Sequence, residues 1–256
     1  ALEYYQQVTE RRELNNVIAS QIAAVYGGLG DYSSALKYID EAISLDPTDY
    51  TYIYAKAQLL TEDGNLRRAL AESNKYVSLV PDDPDGYYQR AQIKSKLQDL
   101  QGAIDDYSKT IELSDTYLWA YIKRADRYTA LGRKDAATAD YRKLIEILQE
   151  YDATDITMAY AYQSLGEQEQ ALATIAKCIE EAPDNADLYY SISGVYGRMG
   201  KTEQALDNLR IAFEKGYNSF SLLEQDDDLA VLRYNPQYKA LIQQYKEELG
   251  YKMRDE

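Results

Sequence analysis

Histidine is absent from this chain. Its absence removes the commonest general base and the commonest zinc ligand together. A single cysteine, Cys178, excludes an internal disulfide framework and leaves the compartment open. The 2 phenylalanines and 1 tryptophan are few beside 27 tyrosines, so the aromatic positions carry rings with a polar tip, suited to sites buried on one edge and wet on the other. Basic residues are also in deficit. The 28 Lys and Arg against 43 Asp and Glu give a formal charge of −15, which argues against nucleic acid or an anionic membrane as the partner. No apolar run approaches the roughly 20 residues that span a bilayer, so membrane insertion is not expected. These features suit a soluble protein, cytoplasmic or bacterial periplasmic, without choosing between the two.

What the chain does have is a period. GDYSSALKYIDEAISLDP (30–47) and GEQEQALATIAKCIEEAP (166–183) carry Gly, Ala and Pro at the same offsets, 136 residues or four periods of 34 apart. The period places units at 16–49, 50–83, 84–117, 118–151, 152–185 and 186–219 with no insertion. Position 8 of the unit reads Ala23, Ala57, Ala91, Ala125, Ala159 and Ser193, and position 20 reads Ala35, Ala69, Ala103, Ala137, Ala171 and Ala205. Position 15 is Gly30, Gly64, Gly132, Gly166 and Gly200, with Gln98 in the third unit.

The pattern resembles the tetratricopeptide repeat family, whose unit is a helix–turn–helix of 34 residues. The resemblance covers nearly the whole chain and implies an all-α fold, a right-handed α–α superhelix of antiparallel helix pairs forming one solenoid over 1–256. The residues agree physically. Small side chains at positions 8 and 20 let two helices approach, and Tyr26, Tyr128, Ile39, Tyr107 and Leu209 at positions 11 and 24 fill the adjoining space. Glycine at position 15 ends the first helix. Each pair leaves an apolar face open, so neighbours must stack to bury it. The third unit departs most: Lys94, Gln98 and Asp115 replace the aromatic, the turn glycine and the closing proline, which predicts imperfect turns with the register kept. In the fourth unit the second helix is predicted to run on through KLIEILQEYD.

A charge pattern overlies the repeat. Position 7 holds Lys56, Arg90 and Arg124 in the second to fourth units, and position 23 of the same units holds Glu72, Asp106 and Asp140. The other units carry charge at neither position. The two positions lie at similar height on antiparallel helices, which predicts structural ion pairs Lys56–Glu72, Arg90–Asp106 and Arg124–Asp140.

The ends differ from the repeats. Residues 220–256 are expected to form capping helices, with Asn235-Pro236 starting the last one and Tyr238, Leu241, Ile242, Tyr245 and Leu249 on its buried face. The run around SFSLLEQDDDLAVLR resembles the closing segment after tetratricopeptide arrays in many bacterial proteins. Its acids Asp226–Asp228 lack the alternating spacing of a calcium loop and are expected to be a solvated, helix-starting turn. At the front, ALEYYQQV copies positions 20 to 27, so residues 1–15 read as the second helix of an incomplete repeat, a broken edge.

No enzyme site emerges. Cys178 occupies a position held by Ala42 and Ala212 in other units, so it reads as a small core residue. GGLGD at 27–31 has neither the preceding strand nor the following Lys of a phosphate loop. Asp105 and Asp106 are consecutive on a helix and point apart. No metal or cofactor is implied. The family resemblance implies instead a concave groove lined by first helices, here Tyr54, Gln58, Tyr88, Gln92, Trp119, Tyr160, Gln163 and Tyr190. Tyrosines flanked by glutamines suit an extended protein or peptide segment, the rings giving area and the amides bonding its backbone. For any one ring, packing between neighbouring first helices fits equally well. The family's basic clamp for a C-terminal carboxylate is not matched. Three readings follow: a non-enzymatic peptide-binding scaffold; a targeting or regulatory region of a longer protein with a catalytic or other domain upstream; and self-association through the incomplete first repeat.

Overall fold

The computed structural model describes residues 14–248. Residues 1–13 of the predicted half-repeat, and the end of the chain with Leu249, lie outside them. Every regular element among the described residues is helical, and they fall into two compact units that meet in sequence at Ser114 and Asp115.

The first unit holds three helix pairs: α1 (Asn16–Gly28) with α2 (Tyr32–Leu45), α3 (Thr51–Glu62) with α4 (Leu66–Leu79), and α5 (Pro84–Lys96) with α6 (Leu100–Leu113). Three-residue turns join the partners of each pair. The alanines explain how closely the helices approach: Ala23, Ala35, Ala57, Ala69, Ala91 and Ala103 are all buried. Around them Ile39, Leu60, Ile93 and Tyr107 are buried almost completely and fill the pairs. Asp31 and Asp99 cap their helices by accepting from the backbone N–H of Ser34 and Gly102.

The turns are built alike. In each, one residue takes the left-handed conformation, as at Gly30 and Gly64 with φ of 75° and 80°. The next backbone N–H then donates to a carbonyl near the end of the first helix, as Asp31 does to Tyr26 at 2.9 Å. The turn expected to be imperfect is not. Gln98 adopts φ of 65°, and Asp99 donates to the Lys94 carbonyl at 2.9 Å as its counterparts do. A left-handed non-glycine residue costs about 1–2 kcal/mol, less than the packing of the two helices it joins can impose.

The second unit continues with α7 (Leu118–Ala130) and α8 (Lys134–Glu150), α9 (Ile156–Ser164) and α10 (Gln168–Glu181), and α11 (Ala186–Arg198) and α12 (Thr202–Glu214). Helix α8 runs 17 residues, through the stretch that lacks a breaker, and stops where Asp152 turns left-handed at φ of 48°. Ala125, Ala137, Ala159, Ala171, Ser193 and Ala205 are again buried. Cys178 is buried on α10, and burial pushes its thiol up to about 11. After α12 come α13 (Phe220–Gln225), a 3-10 helix (Asp227–Leu232) and α14 (Pro236–Glu248). Phe220, Leu223, Leu229, Leu232, Tyr238, Leu241 and Ile242 are buried, so this closing segment is anchored by apolar side chains.

Candidate functional site

The first helices of the first unit present their candidate residues at a surface without formal charge at those positions. Tyr54 on α3 is half-buried, its ring edge-on to Tyr76 at 5.3 Å between centroids. Burial, with Asp85 and Asp83 nearby, pushes its hydroxyl up to about 12, so it stays a neutral donor at physiological pH. Gln58, one turn further along α3, is exposed and donates to Glu62 at 3.0 Å. On α5, Tyr88 is half-buried against Tyr107 at 5.6 Å, and Gln92 is half-buried. Gln89 ties the two helices together by donating to the Tyr54 carbonyl at 3.0 Å, which fixes the spacing of the candidate residues.

In the second unit the corresponding side chains are engaged with the protein itself. Trp119 on α7 meets Tyr160 edge-on at 5.1 Å. Tyr160 on α9 is 2% exposed and donates to the Ser191 carbonyl at 2.9 Å, with the Arg198 guanidinium over its ring. Gln163 donates to the Arg198 carbonyl at 3.3 Å. Tyr190 on α11 stacks on Tyr217 at 4.4 Å and hydrogen-bonds the Asp226 carboxylate.

Asp226–Asp228 explain this arrangement and correct the expectation of a solvated turn. Asp226 does start a helix, accepting from the Asp228 N–H at 2.9 Å, and Asp227 is exposed. Asp228, however, is only 7% exposed. It pairs with Arg198 and lies 3.5 Å from Lys123 Nζ. Arg198 also pairs with Asp126 on α7. Burial works against the Asp228 carboxylate, but Lys123 and Arg198 hold it below its ordinary range. Burial and the neighbouring Asp228 push Asp226 above its ordinary range. Burial lowers and the Asp228 and Asp226 carboxylates raise Lys123, which ends above its usual value. This cluster of Lys123, Asp126, Arg198, Asp226 and Asp228 does not follow from the repeat pattern. Its sequence signal is Gly194 and Gly197 inside a helix, where glycine is unfavourable, together with the acidic run beyond it.

The residues singled out for their charge pattern come together within their pairs. Arg90 donates twice to Asp106, at 2.8 and 2.7 Å, and Arg124 donates twice to Asp140 at the same two distances. Lys56 lies 2.8 Å from Glu72 and 2.9 Å from Asp40. Lys94, which stands where other units have an aromatic ring, adds a second cation to Asp106 at 2.7 Å.

Similarities to known proteins follow the same architecture. A family model described as anaphase-promoting complex, cyclosome, subunit 3 matches residues 29–110, and a tetratricopeptide repeat model matches 120–149 and 156–185. The solved structure of TTC0263, a thermophilic TPR protein of Thermus thermophilus, is 22% identical over 75% of this chain and 98% of that one, with a TM-score of 0.55. A structure of MamA from Desulfovibrio magneticus RS-1, from residue 41 to its end, is 19% identical over 59% of this chain and 86% of that one, with a TM-score of 0.54. At these identities the likeness is one of fold. No curated protein matches the sequence. Among the described residues, no helix is long and apolar enough to cross a membrane.

Proposed function

Because the chain belongs to the tetratricopeptide repeat family, we propose that it is a non-catalytic scaffold which holds an extended peptide or protein segment on the first-helix face of its first unit. The observation that carries this reading is the contrast between the two units. Gln58 is exposed beside Glu62, and Tyr54, Tyr88 and Gln92 keep part of their surface in solvent, whereas Tyr160, at the repeat position of Gln58 and Gln92, is buried and bonds the Ser191 carbonyl. Neutral phenols and amides supply donors and acceptors for a peptide backbone, and the rings supply apolar area at little entropic cost. They carry no fixed charge themselves, and Glu62, Asp83 and Asp85 beside them disfavour an acidic segment there. Catalysis is disfavoured by the chain's own chemistry: histidine is absent, and the buried Cys178 thiol is held far from ionisation at neutral pH.

A peptide selected from a displayed library against the intact protein provides the probe. Titration calorimetry of that peptide against Tyr54→Ala/Tyr88→Ala should show binding weakened at least about tenfold with the helical circular dichroism unchanged. Gln58→Ala and Gln92→Ala should each cost about 0.5–1.5 kcal/mol. Unchanged affinity in the folded double variant removes the reading.

A further inference from the structure

Helix α11 carries two interior glycines, Gly194 and Gly197. Each weakens an isolated helix relative to alanine. A methyl group at Gly197 would collide with the backbone carbonyl of Asp228, and one at Gly194 would meet the Tyr160 hydroxyl and lie 3.4 Å from Asp228 Cβ. The glycines therefore form a seat into which a peptide backbone settles against the helix. Recognition groups surround the seat. Arg198 and Lys123 hold the Asp228 carboxylate, and Tyr190 bonds that of Asp226. Asp227 between them points outward, its side chain 76% exposed, with Arg233 at 3.8 Å and Arg127 at 3.9 Å. Leu229, next in line, is fully buried.

All the receiving groups belong to α7 and α11, and all the received groups belong to one short segment. On the receiving side Lys123, Arg127 and Arg198 outnumber the one carboxylate, Asp126, in a chain of formal charge −15. A segment that only closed the array would need apolar burial, which Leu229 and Leu232 provide. Buried ion pairs add little to stability beyond what apolar residues give, but they do discriminate between occupants.

We propose that this face of the second unit is a recognition site for acidic segments of the form Asp-x-Asp-Leu, and that Asp226–Leu229 is its resident occupant, displaced by a partner that carries the same pattern. The site is separate from the tyrosine and glutamine face of the first unit and does not rest on that reading. A tethered occupant competes at an effective concentration of about millimolar, so a free peptide sees only the molecules whose segment has lifted. Weakening the resident should therefore raise the apparent affinity for a peptide in trans.

The probe is a labelled, end-blocked peptide with the sequence of residues 224–233, EQDDDLAVLR, titrated by fluorescence anisotropy into the full chain. Asp226→Asn/Asp228→Asn loosens the resident and leaves the seat intact. That variant should bind the peptide at least about tenfold more tightly than the unsubstituted protein. Adding Lys123→Met or Gly197→Ala should cancel the gain, and a peptide with its three aspartates replaced by asparagine should not bind. Equal binding by the folded variant and the unsubstituted protein, or equal binding of the two peptides, overturns the proposal. Should the double variant not fold, hydrogen exchange on the unsubstituted chain decides. Amides of the 3-10 helix should open at least about tenfold more often than those of α11, and exchange only in step with α11 makes the segment a fixed cap.

Discussion

Gln98 holds, at φ of 65°, the conformation that Gly30, Gly64, Gly132, Gly166 and Gly200 hold at the matching turns. For glycine that region is free of steric cost, whereas a residue with a Cβ meets the following carbonyl oxygen. Glycine also loses more chain entropy on folding, which offsets part of the relief. Gln98→Gly should therefore stabilise the protein by roughly 0.5–1 kcal/mol in urea denaturation, with no change in binding. Loss of stability would mean that the glutamine side chain makes a contact outweighing its strained backbone. The position also shows what a sequence hides. The missing glycine is plain in the repeat, but the hydrogen bonds of the turn survive because α5 and α6 are set by Ala91, Ile93, Ala103 and Tyr107 on either side of it. A local rule yields here to packing that the same repeat dictates.

Between helices, the pairing of positions 7 and 23 is legible because a three-residue turn brings residues 16 apart to the same height. Depth is not legible, since it depends on what neighbouring pairs cover. Asp106 is 4% exposed and receives both Arg90 and Lys94, whereas Glu72 shares Lys56 with the exposed Asp40. The three pairs look equivalent in sequence and should differ widely in energy. Asp106→Ala leaves two cations facing a buried void and should cost about 3–5 kcal/mol. Glu72→Ala leaves Lys56 its second partner and should cost under about 1 kcal/mol. Urea denaturation of the two variants compares them directly, and similar losses would show that burial does not govern these bridges. Arg90→Lys should also weaken the pair, because the twofold donation to Asp106 needs a planar guanidinium.

Over the whole chain, the repeat makes the helix order and the alanine contacts readable, and it leaves the closure of the second unit unreadable. Lys123 and Asp228 are 105 residues apart, and nothing in a period of 34 relates a repeat to the segment that follows it. For the same reason the tyrosines at equivalent positions diverge: Tyr54 packs edge-on to Tyr76, whereas Tyr190 stacks on Tyr217 and hydrogen-bonds the Asp226 carboxylate. Abundant tyrosine and absent histidine do, however, determine how the protein answers pH. No side chain has an ordinary pKa near neutrality, so stability should be flat from about pH 6 to 8. At alkaline pH the buried phenols dominate. Burial, with Asp126 nearby, pushes Tyr141 up to about 12, as burial does Tyr54, and burial first and Asp226 next raise Tyr190 further. Their folded values thus exceed the value of about 10 in an unfolded chain. Above that pH the unfolded state binds fewer protons than the folded one, so stability falls as pH rises. The contribution is complete below about pH 10 and is lost as pH climbs through the folded values near 12. Between those limits helical circular dichroism should fall together with the late phase of tyrosinate absorbance, that of the buried phenols. Tyrosinate formation running to completion while the helices persist would show that these hydroxyls titrate from solvent and that their burial does not stabilise the fold.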